Sequence, residues 1–324
     1  MSHDEFTSEA TGLNPTAYRL SEALIRDAVR LRMDVHDDGL NVPIVDCGVR
    51  ALGTLEGGCR VAEICAAGRA RVDLVPIPRI GPCGWGVRFV TDDPVMACLA
   101  SQYAGWRLAD EHYFAMGSGP MRAAAASEKL FERIDFRETT RVAVGVLEAA
   151  AFPPPEVAEQ IARACEVESR RLTLLVARTS SLVGTVQVVA RSVETALHKL
   201  LELGFDVTQV VSAAGVAPLP PMGGNDLTAM GRTNDAVLYG SDVTLWVHGD
   251  DEQIVDLVPQ IPSSASRDYG RTFRELFESY DRDFYGMDPL LFSPARITWV
   301  SLATGRTWTA GEINAALIER SCAG

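Results

Sequence analysis

The chain contains no Cys-x-x-Cys pair, no His-x-His or His-x-x-x-His pair, and no apolar run near the roughly 18 residues that a membrane-spanning helix needs. Its seven cysteines (Cys47, Cys59, Cys65, Cys83, Cys98, Cys165, Cys322) are odd in number and irregularly spaced, which argues against a disulfide framework or a zinc knuckle. Its five histidines are scattered, so no metal site is expected. Excess positive charge is also absent: the net charge is −13, unsuited to nucleic acid or an anionic membrane surface. The first ten residues lack the basic and apolar regions of a secretory signal. These absences predict a cytoplasmic protein with buried, reduced thiols and with neither nucleic-acid nor membrane partners.

What is present is ordinary globular composition, 47% hydrophobic and 23% charged over 324 residues, enough for two domains with sizeable cores. Periodicity predicts a helix along Leu20, Leu24, Ala28 and Leu31, and further helices over 57–67, from Pro94, and over 156–165, 185–203, 272–279 and 312–320. Strands are expected over 43–49, 71–77, 85–91, 141–147, 172–177, 208–216, 236–239 and 243–248. A hairpin is expected over 297–309, turning at Thr304-Gly305. Phe152-Pro153-Pro154-Pro155 cannot lie inside a helix or a central strand. It reads either as a linker, dividing the chain into domains 1–153 and 154–324, or as the lead-in to the helix that follows. The mixture of elements fits an α+β fold of two mixed domains better than one doubly wound sheet.

Four segments could carry chemistry. Gly117-Ser118-Gly119-Pro120-Met121-Arg122 runs into a helix, where backbone N–H groups at Ser118 and Gly119 could face an anion, with Arg122 in the first turn. The plain alternative is a turn and cap with Arg122 solvated. It is not a dinucleotide fingerprint, because the remaining glycine and the acidic residue are missing. Arg178-Thr179-Ser180-Ser181 leads on to Arg191-Ser192-Val193-Glu194, where positions 191 and 194 share a helix face. A guanidinium beside a carboxylate holds it ionised and aimed, as a water-activating base requires. The plain alternative is a solvated pair worth a few tenths of a kcal/mol. The apolar stretch before Arg191 favours partial burial and hence a role other than stability.

Third, a stiff proline loop over 217–221 precedes Gly231-Arg232-Thr233-Asn234-Asp235. There Asn234 and Asp235 could form an Asx-turn before a strand and read the edge of a heteroaromatic ring. The plain reading is a rigid connection into a hairpin. Fourth, Ser263-Ser264-Ala265-Ser266-Arg267-Asp268 reads as a helix cap by Ser266 or Asp268, or as hydroxyl donors from Ser264 and Ser266 to an anionic tail.

Together GSGPMRA (117–123), VARTSS (176–181), ARSVETALHK (190–199), APLPP (217–221), GRTNDAVLYG (231–240) and SSASRDYG (263–270), in this order, resemble the methenyltetrahydromethanopterin cyclohydrolase family. The likeness runs from Leu13-Asn14 to Thr298 and is nearer to methylotroph-type bacterial members than to methanogen ones. It implies a two-domain α+β fold with the substrate in a cleft between the domains, a homo-oligomer, commonly a trimer, and no metal or prosthetic group. It implies interconversion of methenyl- and formyl-tetrahydromethanopterin, with Arg191 and Glu194 matching the family's catalytic Arg-x-x-Glu. Ser118, Gly119, Arg122, Arg178, Thr179, Asn234, Asp235, Ser264 and Ser266 are expected only as pocket residues. Met121 departs from the small residue expected there. Two rival readings are a nucleotide-dependent oxidoreductase, against which the incomplete glycine pattern speaks, and a non-catalytic pterin carrier.

Overall fold

The computed structural model describes residues 11–36, 42–283 and 286–323; the polar stretch 1–10 read from the sequence lies outside them. The chain forms two compact units, each built from two separate stretches: 1–70 with 96–187, and 71–95 with 188–324. The fold is α+β, with one six-stranded mixed sheet in each unit.

The first unit opens with α1 (Leu13–Arg26), β1 (Asp34–His36), β2 (Ile44–Gly48) and α2 (Leu55–Cys65). Leu24 lies on the buried side of α1, while Ala28 and Leu31 of the same stripe fall in the turns after it and are also buried. A π-helix over Val95–Gln102 follows Pro94, and β5 (Trp106–Ala109), β6 (Phe114–Ser118), α3 (Met121–Ala125) and α4 (Lys129–Ile134) come next. The unit is completed by β7 (Ala143–Ala149), α5 (Pro155–Ala164), β8 (Leu172–Ala177) and α6 (Leu182–Val189). Its sheet runs β1-β2-β8-β7-β6-β5. The three central strands are parallel and the outer ones antiparallel. Every residue of β2 and β8 is buried, because helices cover parallel strands on both faces. The proline run from which a domain boundary is expected lies inside this unit, where Pro154 caps α5 and Pro155 occupies its first turn.

The second unit begins with most of β3 (Ala70–Ile80) and β4 (Cys83–Thr91) and resumes after residue 187. It continues with α7 (Ser192–Glu202), β9 (Val210–Pro218), α8 (Asp226–Gly240), β10 (Asp242–Val247) and α9 (Asp251–Leu257). It ends with α10 (Phe273–Ser279), the hairpin β11 (Arg296–Ser301) and β12 (Thr307–Gly311), and α11 (Ala315–Ala323). The sheet order is β12-β11-β10-β9-β4-β3. Its apolar cluster joins Cys83, Leu238, Tyr239, Phe273, Leu276, Leu291, Leu317 and Ile318.

Two expectations fail. The helix expected over 185–203 is two helices, α6 and α7, separated at Ala190-Arg191, with Arg191 as the N-cap of the second. The strand expected over 236–239 is the last turn of α8. Both follow from the same ambiguity: a short apolar run does not distinguish a buried helix from a buried strand, nor one buried helix from two. The start signal of α8 sits earlier, at Asn225, whose side chain accepts from the Thr228 N–H at 2.9 Å, with Asp226 in the first turn.

Candidate active site

In the second unit, Arg191 and Glu194 bracket the start of α7 and are 7% and 5% exposed, far from the solvated pair of the plain reading. Neither side chain is isolated. Their neighbours along the chain are Val188, Val189, Ala190, Val193, Ala196 and Leu197, all buried. Glu194 stands in the first turn, where the unpaired N–H groups of the helix favour negative charge. The backbone carbonyl of Arg191 accepts from Thr195 N–H at 3.0 Å, and its own N–H reaches back to Val188 O at 3.1 Å, so the break between α6 and α7 is tightly bonded.

Gly215 of β9 fixes where this turn lies. A Cβ there would stand 2.5 Å from Ser192 Oγ, 3.0 Å from Val193 Cγ2 and 3.1 Å from Val243 Cγ2. The first turn of α7 can press on the sheet only because that side chain is missing. Sequence reading passed over Gly215; an isolated glycine inside a strand pattern is the signal of such an approach. Further along α7, buried Lys199 donates to Leu290 O, and burial pushes its pKa down to about 8 against the opposing pull of Asp288.

In the first unit, Arg178 and Thr179 follow the carboxyl end of β8, between the ends of β2 and β7. Loops beyond the carboxyl ends of parallel strands are where open sheets of this kind place ligands. Thr179 donates to Glu148, and its carbonyl accepts from Thr185 Oγ1 at 3.2 Å. Ser181 Oγ donates to Arg178 O at 2.7 Å and accepts from Gly184 N–H at 2.9 Å. Beside them Asp46, fully buried, accepts from the backbone N–H groups of Gly48, Val49, Arg50 and Ala51 at 2.7 to 3.0 Å. Asp46 and Glu148 were missed in the sequence; a lone aspartate inside the apolar strand Ile44-Val45-Asp46-Cys47 was the available sign.

The glycine-serine segment is placed otherwise than expected. Gly119, at φ +91°, donates its N–H to Ser101 O at 2.8 Å, so that group does not face an anion. Ser118 is buried, donates to Val146 O at 3.2 Å and accepts from Cys65 Sγ at 3.3 Å. Arg122 is neither solvated nor turned to open space. It is wholly buried, makes a two-pronged ion pair with Glu128 at 2.7 Å, and donates to Leu99 O and Ser101 O at 2.9 and 3.3 Å. The rings of Tyr103 and Phe131 flank it, 5.1 and 5.2 Å from its guanidinium carbon.

Asn234 and Asp235 lie within α8 and form no Asx-turn. The Asn234 amide donates to Met230 O one turn back, at 2.9 Å. Asp235 is buried and accepts the Phe273 N–H at 2.7 Å, tying α8 to the start of α10. Burial pushes its pKa up to about 7, against the pull of Ser321 and of the Phe273 N–H. Ser264 is exposed. Ser266 is buried, donates to Asp288 at 2.7 Å and accepts from Asp268 N–H at 3.2 Å. Neither Ser266 nor Asp268 caps the next helix. Thr272 does, in a reciprocal capping box with Glu275.

A buried arginine and a buried carboxylate at one helix start, in a two-unit α+β protein, are the groups a hydrolytic enzyme would use to hold and deprotonate water. The sequence pattern of the family described as Cyclohydrolase (MCH) matches residues 12–322, and the chain belongs to that family. A methenyltetrahydromethanopterin cyclohydrolase of Xanthobacter autotrophicus is 51% identical over 305 residues, covering 94% of this chain and 90% of the relative. One from Methylobacterium sp. (strain 4-46) is 44% identical over 321 residues, covering 98% and 99%. One from Methanocella arvoryzae is 41% identical over 305 residues, covering 94% and 95%.

Proposed function

We propose that this chain adds water to the methenyl carbon of methenyl-tetrahydromethanopterin, releasing the formyl form, and catalyses the reverse. The observation that carries the proposal is the family match over residues 12–322, together with a relative of that name that is 51% identical. The burial of Arg191 and Glu194 at one helix start supports assigning the chemistry to them.

The substrate is an amidinium cation, so its methenyl carbon is already electrophilic, and the reading needs no metal or prosthetic group. Glu194 accepts a proton as water oxygen bonds to that carbon. Arg191 keeps the carboxylate charged and aimed. The tetrahedral adduct collapses when one of the two carbon–nitrogen bonds breaks and that nitrogen takes up a proton. The net reaction consumes one water and releases one proton. The resemblance supports all nine as pocket residues, Arg178 and Ser264 among them; Ser118, Gly119, Arg122, Thr179, Asn234, Asp235 and Ser266 each hydrogen-bond within their own unit.

The test is the decay of the methenyl cation's ultraviolet absorbance with purified protein, on methenyl-tetrahydromethanopterin and methenyl-tetrahydrofolate in parallel. Acceleration with the methanopterin form alone is expected. No acceleration with either, despite tight binding, turns the reading to a pterin carrier. The same reading places the protein in the cytosol as a homo-oligomer, a trimer by family resemblance, which light scattering checks. Among the described residues no helix is long and apolar enough to cross a membrane.

A further inference from the structure

Cys83, the first residue of β4, and Cys322, near the end of α11, meet at the apolar cluster of the second unit. Cys83 is buried and Cys322 partly exposed. Cys83 belongs to that cluster and Cys322 packs against it, near enough for each thiol to alter the other's acidity. Arg232 donates to the Cys322 backbone oxygen at 2.9 Å, which brings its positive charge to the same place. The helix is already seated on the turn between β3 and β4: a Cβ on Gly81 would stand 2.7 Å from Glu319 Cγ. Two thiols held together this way, one sheltered and one accessible beside a guanidinium, have the arrangement of an attacking and a resolving cysteine. Neither takes part in the reaction proposed above.

We propose that Cys322 and Cys83 form an oxidative modification site, at which a small hydroperoxide converts the dithiol to a disulfide that fastens α11 to β4. The Cys322 thiolate attacks one peroxide oxygen, the O–O bond breaks, and hydroxide leaves. The Cys83 thiol then attacks the sulfenic sulfur, gives up its proton, and the S–O bond breaks with loss of water. With hydrogen peroxide, two thiols and one peroxide give one disulfide and two waters. The Cys322 thiol is acidified first by Cys83 and then by Arg232, with burial opposing. Arg79 also faces the pair through Cys83, and Asp235 faces it through Cys322. The interaction with Cys322 and burial push the Cys83 thiol up, and burial pushes up those of Cys47 and Cys165, so Cys322 is the thiol that meets the peroxide.

The experiment treats the whole purified chain with one equivalent of hydrogen peroxide and maps its peptides without reduction. A linkage between the peptides of Cys83 and Cys322, reversed by dithiothreitol, is expected, with a Tm at least about 3 °C above that of the reduced protein. In Cys83→Ser the reaction should stop at a sulfenic acid on Cys322, captured by a dimedone probe. In Cys322→Ser peroxide should leave Tm unchanged. Oxidation confined to other cysteines, Cys322 passing to sulfinic acid without linkage, or a peroxide-dependent Tm rise retained in Cys322→Ser would each overturn the proposal. Because these readouts are linkage and melting, they stand apart from cyclohydrolase activity.

Discussion

At the scale of the residue, two of the buried charges are spent on holding backbone. Arg122 satisfies its nitrogens on a carboxylate and two carbonyls and is flanked by two rings. Asp46 gathers four backbone N–H groups. Removing either changes shape before it changes reactivity. Glu194, the base proposed above, is a carboxylate in the first turn of a helix with Arg191 as that helix's N-cap. Glu194→Gln keeps the shape and removes the proposed base, so turnover should fall by at least about 10², with unchanged circular dichroism and melting. Arg191→Lys should also fail, because an ammonium cannot reproduce the planar fork of a guanidinium. Steady-state kinetics on the methanopterin substrate decides, and wild-type turnover in a folded Glu194→Gln protein would remove the assignment.

Asp235 allows a prediction about pH at the same scale. Its folded pKa is raised by burial to about 7 from an ordinary value of 3.8. The unfolded chain therefore ionises first as pH rises, and the folded state loses ground between about pH 4 and pH 7. The stability tied to this neutral carboxyl is complete below pH 4 and gone above pH 7, with an upper bound of about 4 kcal/mol. Asp235→Asn retains an oxygen for the Phe273 N–H and has nothing to titrate. Urea unfolding across that range should show a shallower decline in the variant. A decline identical to wild type would mean that Asp235 is ionised throughout.

Elements depend on close approach, and Gly215 shows how a helix start is set by a residue on another element. Gly215→Ala would place a methyl 2.5 Å from Ser192 Oγ and 3.0 Å from Val193 Cγ2, forcing the first turn of α7 off the sheet. Overpacking of this kind costs about 1–3 kcal/mol, so the protein should fold while its turnover drops at least tenfold. Ser192 Oγ is buried without a hydrogen-bond partner, so Ser192→Ala removes the tightest contact at little cost. The double variant should recover part of the lost turnover. If Gly215→Ala alone matches wild type, β9 does not position this turn.

Most elements were legible in the sequence where period and punctuation agreed. The fully buried strand 172–177, the proline-led helix 155–164 and the hairpin around Thr304-Gly305 are such cases. Where a run is apolar on every side the pattern is ambiguous: the end of α8 reads equally as a strand, and the break at Ala190-Arg191 carries no proline or glycine to announce it. For the site, residue identities were legible and environments were not. Nothing local marks Arg122 as wholly buried, since Glu128, Leu99 and Ser101 reach it from the helix before it and the turn after it.

At the scale of the molecule, the chain leaves its first unit at residue 70, builds two strands of the second, returns at 96 and crosses again at 187. β4 pairs antiparallel with β9 over Gly86–Thr91 and Ala213–Pro218. A cut after residue 187 therefore separates one sheet into two incomplete pieces. The fragment 1–187 carries β4 with its pairing edge open, and 188–324 carries β9 likewise. Open edges of this length invite association with other chains. Each fragment expressed alone should be insoluble or form large aggregates, although 1–187 contains the whole first sheet. Co-expressed, the two should pair through β4 and β9 and elute as a soluble complex in size-exclusion chromatography. A soluble, monomeric 188–324 fragment with native-like circular dichroism would show that the second unit folds without β3 and β4, and that the hairpin borrowed from early in the chain is an accessory rather than part of its core.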